Sequence, residues 1–235
     1  MAFKGANSIS QHVAASNVVL DVSMLNIQQG DIMVLCVSVD KASATFTWPG
    51  GFNTIASLST MQVASSEGTA TCGITWGLAG ATPPATLTVS TSGTNLYTLV
   101  CRVYSGRASA PLLVTPVKTG PVASGSVPIT LSITGITPGV GDDVVLFVPA
   151  MEYGASGTCT YTPAATWING RSDYTNTTFC PFIGSSDWPQ WKGGATGTIA
   201  GTVTDSQGLN SGYGAYLLSL AALMPTVVNQ IFTMQ

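Results

Sequence analysis

Hydrophobic and polar residues alternate along much of the chain, as they do in strands with one face in a core and one face in water. Residues 129–134 alternate aliphatic with hydroxyl-bearing side chains, and residues 86–90 do the same. Clusters of Gly, Pro, Ser and Asn separate such segments, a rhythm typical of antiparallel sandwiches and barrels. No segment keeps a capped helical period for three turns. Even the best helical candidate, residues 217–224, is predicted as a strand.

Two segments differ because they are apolar on both faces, at residues 32–39 and 144–148. A strand that is buried on both faces lies at the centre of something thicker than a single two-layer sandwich. Either two halves of the chain pack on each other there, or a partner subunit covers these strands.

The two apolar segments begin longer stretches that resemble each other. Each stretch opens with Gly-Asp, at residues 30–31 and 141–142. Further pairs follow in the same order at a constant separation along the chain: Phe46 with Tyr161, Trp76 with Trp191, and Gly93 with Gly208. An ordered series of this kind indicates two copies of one β unit. In the repeated Gly-Asp, we interpret the glycine as a residue of positive φ and the aspartate as the cap of the turn.

We therefore predict an all-β fold with two tandem, duplicated antiparallel β-sandwich (jelly-roll-like) units that pack on each other. The first unit spans residues 1–112 and the second spans residues 113–223, and the Pro, Ser and Gly content of residues 111–127 is that of a connector. Residues 224–235 carry no charged side chain. We predict that they form an extended C-terminal arm that lies across a neighbouring subunit.

Charge is scarce in this chain. Charged residues make up 7% of it and hydrophobic residues 45%, whereas ordinary soluble domains are about 25% charged. A neutral, hydroxyl-rich surface suits a particle exterior or a permanent assembly. The net charge of −3 and the absence of Lys/Arg runs argue against nucleic-acid binding.

Membrane binding and export are not expected either. No basic amphipathic segment occurs, and the longest apolar run, residues 216–225, is too short to span a bilayer. The first residues lack the apolar core of a secretory signal, so we expect synthesis in a cytoplasm.

No cluster of residues indicates catalysis. The only glutamates are Glu67 and Glu152, and no separated pair of carboxylates suits glycoside hydrolysis. The single histidine, His12, is predicted in an exposed loop, which leaves a Ser-His-Asp triad without its base. Asp187 and Asp205 could hold calcium as loop residues, but the spacing of a calcium loop is missing. We expect no enzyme, no cofactor and no metal.

The five cysteines show no CxxC spacing, so a zinc site is not expected. Cys36 and Cys101 lie in apolar strand patterns and are predicted core residues. Cys159 and Cys180 could pair, although cytoplasmic synthesis disfavours a disulfide.

Residues 174–191 concentrate aromatic side chains in a polar segment broken by Gly and Pro. Aromatic rings stack on sugar faces and are enriched at interfaces. Trp191 is predicted as a core residue. The candidates for contact with a partner or a glycan are Tyr174, Phe182 and Trp188, together with Val227, Ile231 and Phe232 of the arm.

Several short motifs together form a pattern. They are the Gly-Asp strand opening, a Thr-rich strand, TWPGGF at residues 47–52, TPAATW at residues 162–167 and YSGR at residues 104–107. This pattern resembles the β-sandwich proteins that recur among tailed-bacteriophage virion proteins, and the resemblance covers most of residues 1–223. It implies a non-enzymatic structural role on a virus particle.

The expected function is that of a capsid decoration (cement) subunit on the virion surface, made in the host cytoplasm. Its expected partners are itself, as a homotrimer, and other virion proteins such as the major capsid protein. The alternative is a tail-fibre or tail-tip adhesin that binds host-surface carbohydrate through residues 174–191.

Overall fold

The computed structural model describes residues 3–58, 60–64, 68–123, 128–153, 158–174, 179–205 and 212–223. Over these residues the protein is all-β, as predicted, and its strands pair antiparallel in several sheets. Among the described residues, the short 3-10 helices are Ser23–Leu25 and Ala56–Leu58.

One seven-stranded sheet forms the first half of the chain. Its strands are β1 (Phe3–Asp21), β2 (Ile32–Val39), β3 (Phe46–Thr47), β4 (Phe52–Thr54), β5 (Met61–Ala64), β6 (Thr69–Leu78) and β7 (Thr86–Tyr104). The order is β1-β7-β2-β6-β4, with β3 beside β7 and β5 beside β6. Register shifts interrupt the long β1–β7 ladder between residues 11 and 17. Side chains from both ends of β7, Leu87 and Leu99, meet in one core, so the sheet folds over itself as a sandwich.

Two sheets form the second half. Its strands are β8 (Val117–Ala123), β9 (Ile129–Ile133), β10 (Asp143–Tyr153), β11 (Cys159–Pro163), β12 (Ile168–Tyr174), β13 (Phe179–Trp188), β14 (Ile199–Asp205) and β15 (Gly212–Leu220). One sheet has the order β12-β13-β10-β15-β8 and the other has the order β11-β14-β9. A second core lies between these sheets and includes Leu131, Leu146 and Val203.

Strand pairing follows the same scheme in both halves. β2 lies between β6 and β7, and β10 lies between β13 and β15. β3 pairs with β7 as β11 pairs with β14. The residues that correspond between the halves differ from those that the constant separation suggested. In the first half, Val34 of β2 pairs with Trp76 of β6. In the second half, the corresponding pair is Val145 of β10 with Asp187 of β13. Asp187 rather than Trp191 thus takes the place of Trp76, because the loops differ in length between the halves.

The repeated Gly-Asp forms the predicted turn twice. Gly30 and Gly141 both have φ of 85°. The Asp31 carboxylate accepts a hydrogen bond from the Gln28 N–H at 2.7 Å, and the Asp142 carboxylate accepts one from the Gly139 N–H at 2.8 Å. Since only glycine adopts this φ readily, the motif is explained by the turn.

The strands that are apolar on both faces lie where the halves meet. Every residue of β2 is buried. Val34 and Cys36 of β2 belong to a third core together with Val145 and Phe147 of β10. Of the two explanations that the sequence left open, the structure has the halves packed on each other.

Two local predictions were wrong. His12 lies within strand β1 rather than in a loop, because the segment around it pairs with β7. The predicted connector, residues 111–127, contains strand β8, which pairs with β15 at the edge of a sheet. Residues 217–220 are a strand as predicted, whereas the predicted arm, residues 224–235, lies outside the described residues.

Two glycines at matching positions lie against aromatic rings. A Cβ at Gly73 would lie 2.8 Å from the Phe46 ring, and a Cβ at Gly184 would lie 2.6 Å from both Cβ and Cγ of Tyr161. Tyr161 cannot easily move, because it is buried and its hydroxyl bonds Ser186 at 2.9 Å.

We expect Gly184→Ala to lower the free energy of unfolding by about 1–3 kcal/mol, the typical cost of overpacking a core. Guanidinium unfolding followed by circular dichroism measures the change. The control is Gly80→Ala, whose Cβ would meet no atom within 4 Å and which should change the free energy by less than about 0.5 kcal/mol. Equal midpoints for the two variants would contradict the prediction.

Candidate functional site

Three tryptophans cluster at the end of strand β13. Trp188 is half-buried and its ring lies edge-on to Trp167 and Trp191, with centroids 6.0 Å and 4.5 Å away. Trp191 is buried and its Nε1 donates to the Gly194 carbonyl at 2.9 Å. The prediction that Trp191 is a core residue is confirmed.

The other predicted contact residues do not join this cluster. Phe182 is fully buried in the core of the second half, so it has no surface to offer a ligand, and its interpretation as a contact residue was wrong. The reason is that it faces inward between two neighbouring strands, opposite Ala150 and Tyr174. Tyr174 is half-buried, packs on the same core, and lies at the opposite end of the β12–β13 ladder from Trp188. Val227, Ile231 and Phe232 lie outside the described residues.

Two adjoining cavities open beside the tryptophan cluster. The first has a volume of about 200 Å³ and is lined by Trp188, Trp191, Lys192 and Gly193. The second has a volume of about 240 Å³, shares Trp191 and Lys192, and extends to Arg107 and Val140. An aromatic wall with a few polar groups is typical of the lining of a small-ligand site, although each cavity is smaller than the roughly 300–1,000 Å³ that is usual for one.

A buried ion pair lies at the second cavity. Arg107 Nη2 lies 3.2 Å from Asp143 Oδ2, and Nη1 donates to the Gly141 carbonyl at 3.0 Å. Asp143 Oδ1 accepts from the Gln190 N–H at 2.9 Å, while Arg107 Nε and Asp143 Oδ2 have no hydrogen-bond partner. Burial raises the pKa of Asp143, although the Gln190 N–H and Arg107 act in the opposite direction.

A second buried charge network joins the halves. Arg102 is fully buried and pairs with Asp187, and it donates to Ser185 Oγ at 2.7 Å. The Tyr104 hydroxyl also donates to Asp187, and the Phe3 ring lies 4.5 Å from the guanidinium carbon. Asp187 is therefore a buried residue of strand β13, and our placement of it in a loop was wrong.

The ionisation states in this network follow from its burial. Burial raises the pKa of the Tyr104 hydroxyl well above its ordinary value, and the neighbouring Asp187 raises it further. Burial alone would lower the pKa of Arg102, but Tyr104 and Asp187 raise it above its ordinary value. Tyr104 therefore stays a neutral donor and Arg102 stays charged.

All three arginines of the chain lie where the halves meet. Arg102 and Arg107 reach from the first half to Asp187 and Asp143 of the second. Arg171 pairs with Asp173 at 2.7 Å and donates to Ser8 Oγ of the first half at 2.7 Å. The alternation of apolar and polar residues along the strands did not predict these ion pairs, but one feature of the sequence could have indicated a buried charge. Arg102 interrupts an apolar strand, and a charge in such a place is buried only with a partner.

The four cysteines whose side chains the structure describes pack as apolar residues. Cys36, Cys72, Cys101 and Cys159 are buried free thiols, so no disulfide joins Cys159 to Cys180. Burial raises the pKa of Cys72 and of Cys101 to about 12. These thiols therefore stay protonated at neutral pH, as is usual for structural cysteines.

Within the described ranges, no group of three or more His, Cys, Asp or Glu side chains is placed to hold a metal ion. No described helix has the length and apolar character that a bilayer crossing requires. Comparison with known proteins finds no family model, no curated protein and no solved structure that matches the chain.

Proposed function

We propose that this chain is a non-enzymatic structural protein of a tailed-phage virion, where it serves as a capsid decoration (cement) subunit through protein–protein contacts. The observation that carries the proposal is the location of the charged residues, which are few; most of those that the structure describes are buried or half-buried rather than exposed. The three arginines and their aspartate partners lie at the junction of the two halves. They join the halves into a single block whose exposed residues are nearly all uncharged, with Ser and Thr the commonest among them. Such an exterior suits permanent association.

We infer further that the block consists of two tandem copies of one β-sandwich unit, residues 1–112 and 113–223, followed by an arm at residues 224–235. The shared pairing scheme, the matching Gly-Asp turns and the matching glycines under aromatic rings support the duplication. We propose the arm because residues 224–235 are uncharged and largely apolar. Such a segment favours contact with a neighbouring subunit over exposure to water.

The proposed partners are further copies of the chain, as a homotrimer, and the major capsid protein. Large apolar side chains on the exterior support this assignment, since Met24, Val140 and Leu113 are 87%, 74% and 70% exposed. Many small contacts of this kind give firm attachment when a subunit binds several neighbours at once. The protein would be made in the host cytoplasm and reside on the virion surface, without contact to nucleic acid or membrane.

Imaging of the intact particle by cryo-electron microscopy tests the proposal. We expect density for the two-sandwich body on the capsid exterior and a trimer in sedimentation velocity. Deletion of residues 225–235 should reduce both the trimer fraction and the occupancy of the particle. A monomer at high concentration, together with absence from purified particles, would refute the decoration role.

A second candidate function is that of a tail-fibre or tail-tip adhesin for host-surface carbohydrate. The cavities beside Trp188 and Trp191 favour it. A glycan array separates the candidates, because an adhesin should give hits that Trp188→Ala removes, whereas a decoration subunit should give none.

A further inference from the structure

Lys192 stands out among the cations of the described residues. Lys4, Arg102, Arg107 and Arg171 are each paired with an aspartate, and Lys41 donates to the Ser92 carbonyl at 2.6 Å. Lys192 is exposed at the rim that the two cavities share, and within the described part of the chain it has no ion-pair or hydrogen-bond partner. Its ammonium group is therefore available to a ligand.

Nearby negative charge is already compensated. Asp143 faces Arg107 and accepts the Gln190 N–H. Asp142 accepts three hydrogen bonds, from the Gly139 N–H at 2.8 Å, from Ser219 Oγ at 2.6 Å and from the Ala222 N–H at 3.0 Å. Both aspartates are buried, so the charge that faces the cavities is the positive charge of Lys192.

The lining of the first cavity also includes two aromatic side chains, Trp188 and Trp191. Trp188 is held edge-on between Trp167 and Trp191, and packing of this kind fixes the orientation of its ring. A fixed aromatic ring packs against the C–H face of a pyranose with little loss of side-chain entropy. A volume of about 200 Å³ admits one such ring.

Arg107, one of the residues that line the second cavity, leaves one buried donor unsatisfied. Arg107 is buried, lines this cavity, and has no hydrogen-bond partner for its Nε. A buried donor without a partner is uncommon and costs free energy. Because this Nε is itself buried, it offers no contact to a ligand in the cavity, and the cation that a ligand can reach is Lys192.

From these observations we propose that the Trp188–Trp191–Lys192 face binds an acidic saccharide, with a sugar ring on Trp188 and its carboxylate or phosphate on Lys192. This inference rests on the carbohydrate-binding function given above as the second candidate. It adds the chemical class of the ligand and the residue that selects it.

The test uses isothermal titration of the full chain with oligosaccharides that carry carboxylate or phosphate groups. Each probe has an uncharged counterpart, the methyl ester or the dephosphorylated sugar. We expect at least one acidic probe to bind up to about fivefold more tightly than its counterpart, the range of an exposed ion pair. Added salt should weaken only the acidic form.

Three variants show which side chains are responsible for binding and for the preference for acidic probes. Lys192→Met keeps the aliphatic stem and should remove the preference for the acidic form. Trp188→Ala should weaken both forms about tenfold, the upper range of an aromatic contact. Lys41→Met, a lysine of the first half, is the matched control and should bind like the unaltered chain.

Any of three results would overturn the inference. They are equal affinity for the acidic and neutral forms, a preference for the acidic form that persists in Lys192→Met, and no binding of any probe at millimolar concentration. Binding of neutral forms that depends on Trp188 would keep the carbohydrate function and remove only the acidic specificity. The decoration role is tested separately by the particle images.

Discussion

Replacement of Arg102 with methionine is expected to lower the free energy of unfolding by about 3–5 kcal/mol, the usual effect of removing one partner of a buried ion pair. Arg102 is fully buried and holds Asp187, Ser185 and Tyr104 together. Without it, the Asp187 carboxylate stays in the interior with no opposite charge. Guanidinium unfolding at neutral pH, followed by tryptophan fluorescence, measures the loss.

The double variant Arg102→Met with Asp187→Leu is the decisive control. Replacement of both ions by apolar groups of similar size is often neutral or stabilising, so the double variant should recover most of the stability. Lys192→Met removes an exposed charge and should change the free energy of unfolding by less than about 0.5 kcal/mol. If the double variant is as unstable as Arg102→Met, the loss comes from packing and the electrostatic explanation is wrong.

Phe147→Ala is expected to cost about 3–5 kcal/mol, the range for loss of a buried phenylalanine. Phe147 has no exposed surface and belongs to the core between the halves, with Val34 and Tyr216 among its members. Because that core is shared, both halves should lose stability in one cooperative transition. Circular dichroism and tryptophan fluorescence should therefore report the same lowered midpoint.

Ile168→Ala provides the control for Phe147→Ala. Ile168 is 49% exposed, so its truncation should change the midpoint little. Two separate transitions in the unaltered protein, with Phe147→Ala affecting only one of them, would show that the halves unfold independently.

Local features of this fold could be predicted from the sequence. The alternation at residues 129–133 became a strand with alternate residues buried, and the doubly apolar segment at residues 32–39 became a fully buried strand. The Gly-Asp turns were also predictable, since both depend on residues within three positions of each other.

Features that depend on distant strand pairing could not be predicted. Arg102 and Asp187 are 85 positions apart, and their contact depends on which face of β7 packs on β13. The same holds for Phe182: strand β13 carries apolar and polar residues on both faces, so its pattern did not say which side points inward. For the candidate site, the sequence identified Trp188 and the core position of Trp191. It did not reveal Lys192 and Arg107, because separate loops bring them to the same cavities.

The pairing of Arg102 with a residue 85 positions later has a consequence for biosynthesis. At about 5–20 residues per second, the ribosome needs about 4–17 s after Arg102 to make Asp187. During that interval a folded first half would expose the Arg102 guanidinium and the apolar residues of β2 to solvent, because the second half that covers them has not yet been made. A nascent chain paused before residue 187 is therefore the state in which chaperone capture or aggregation is most expected.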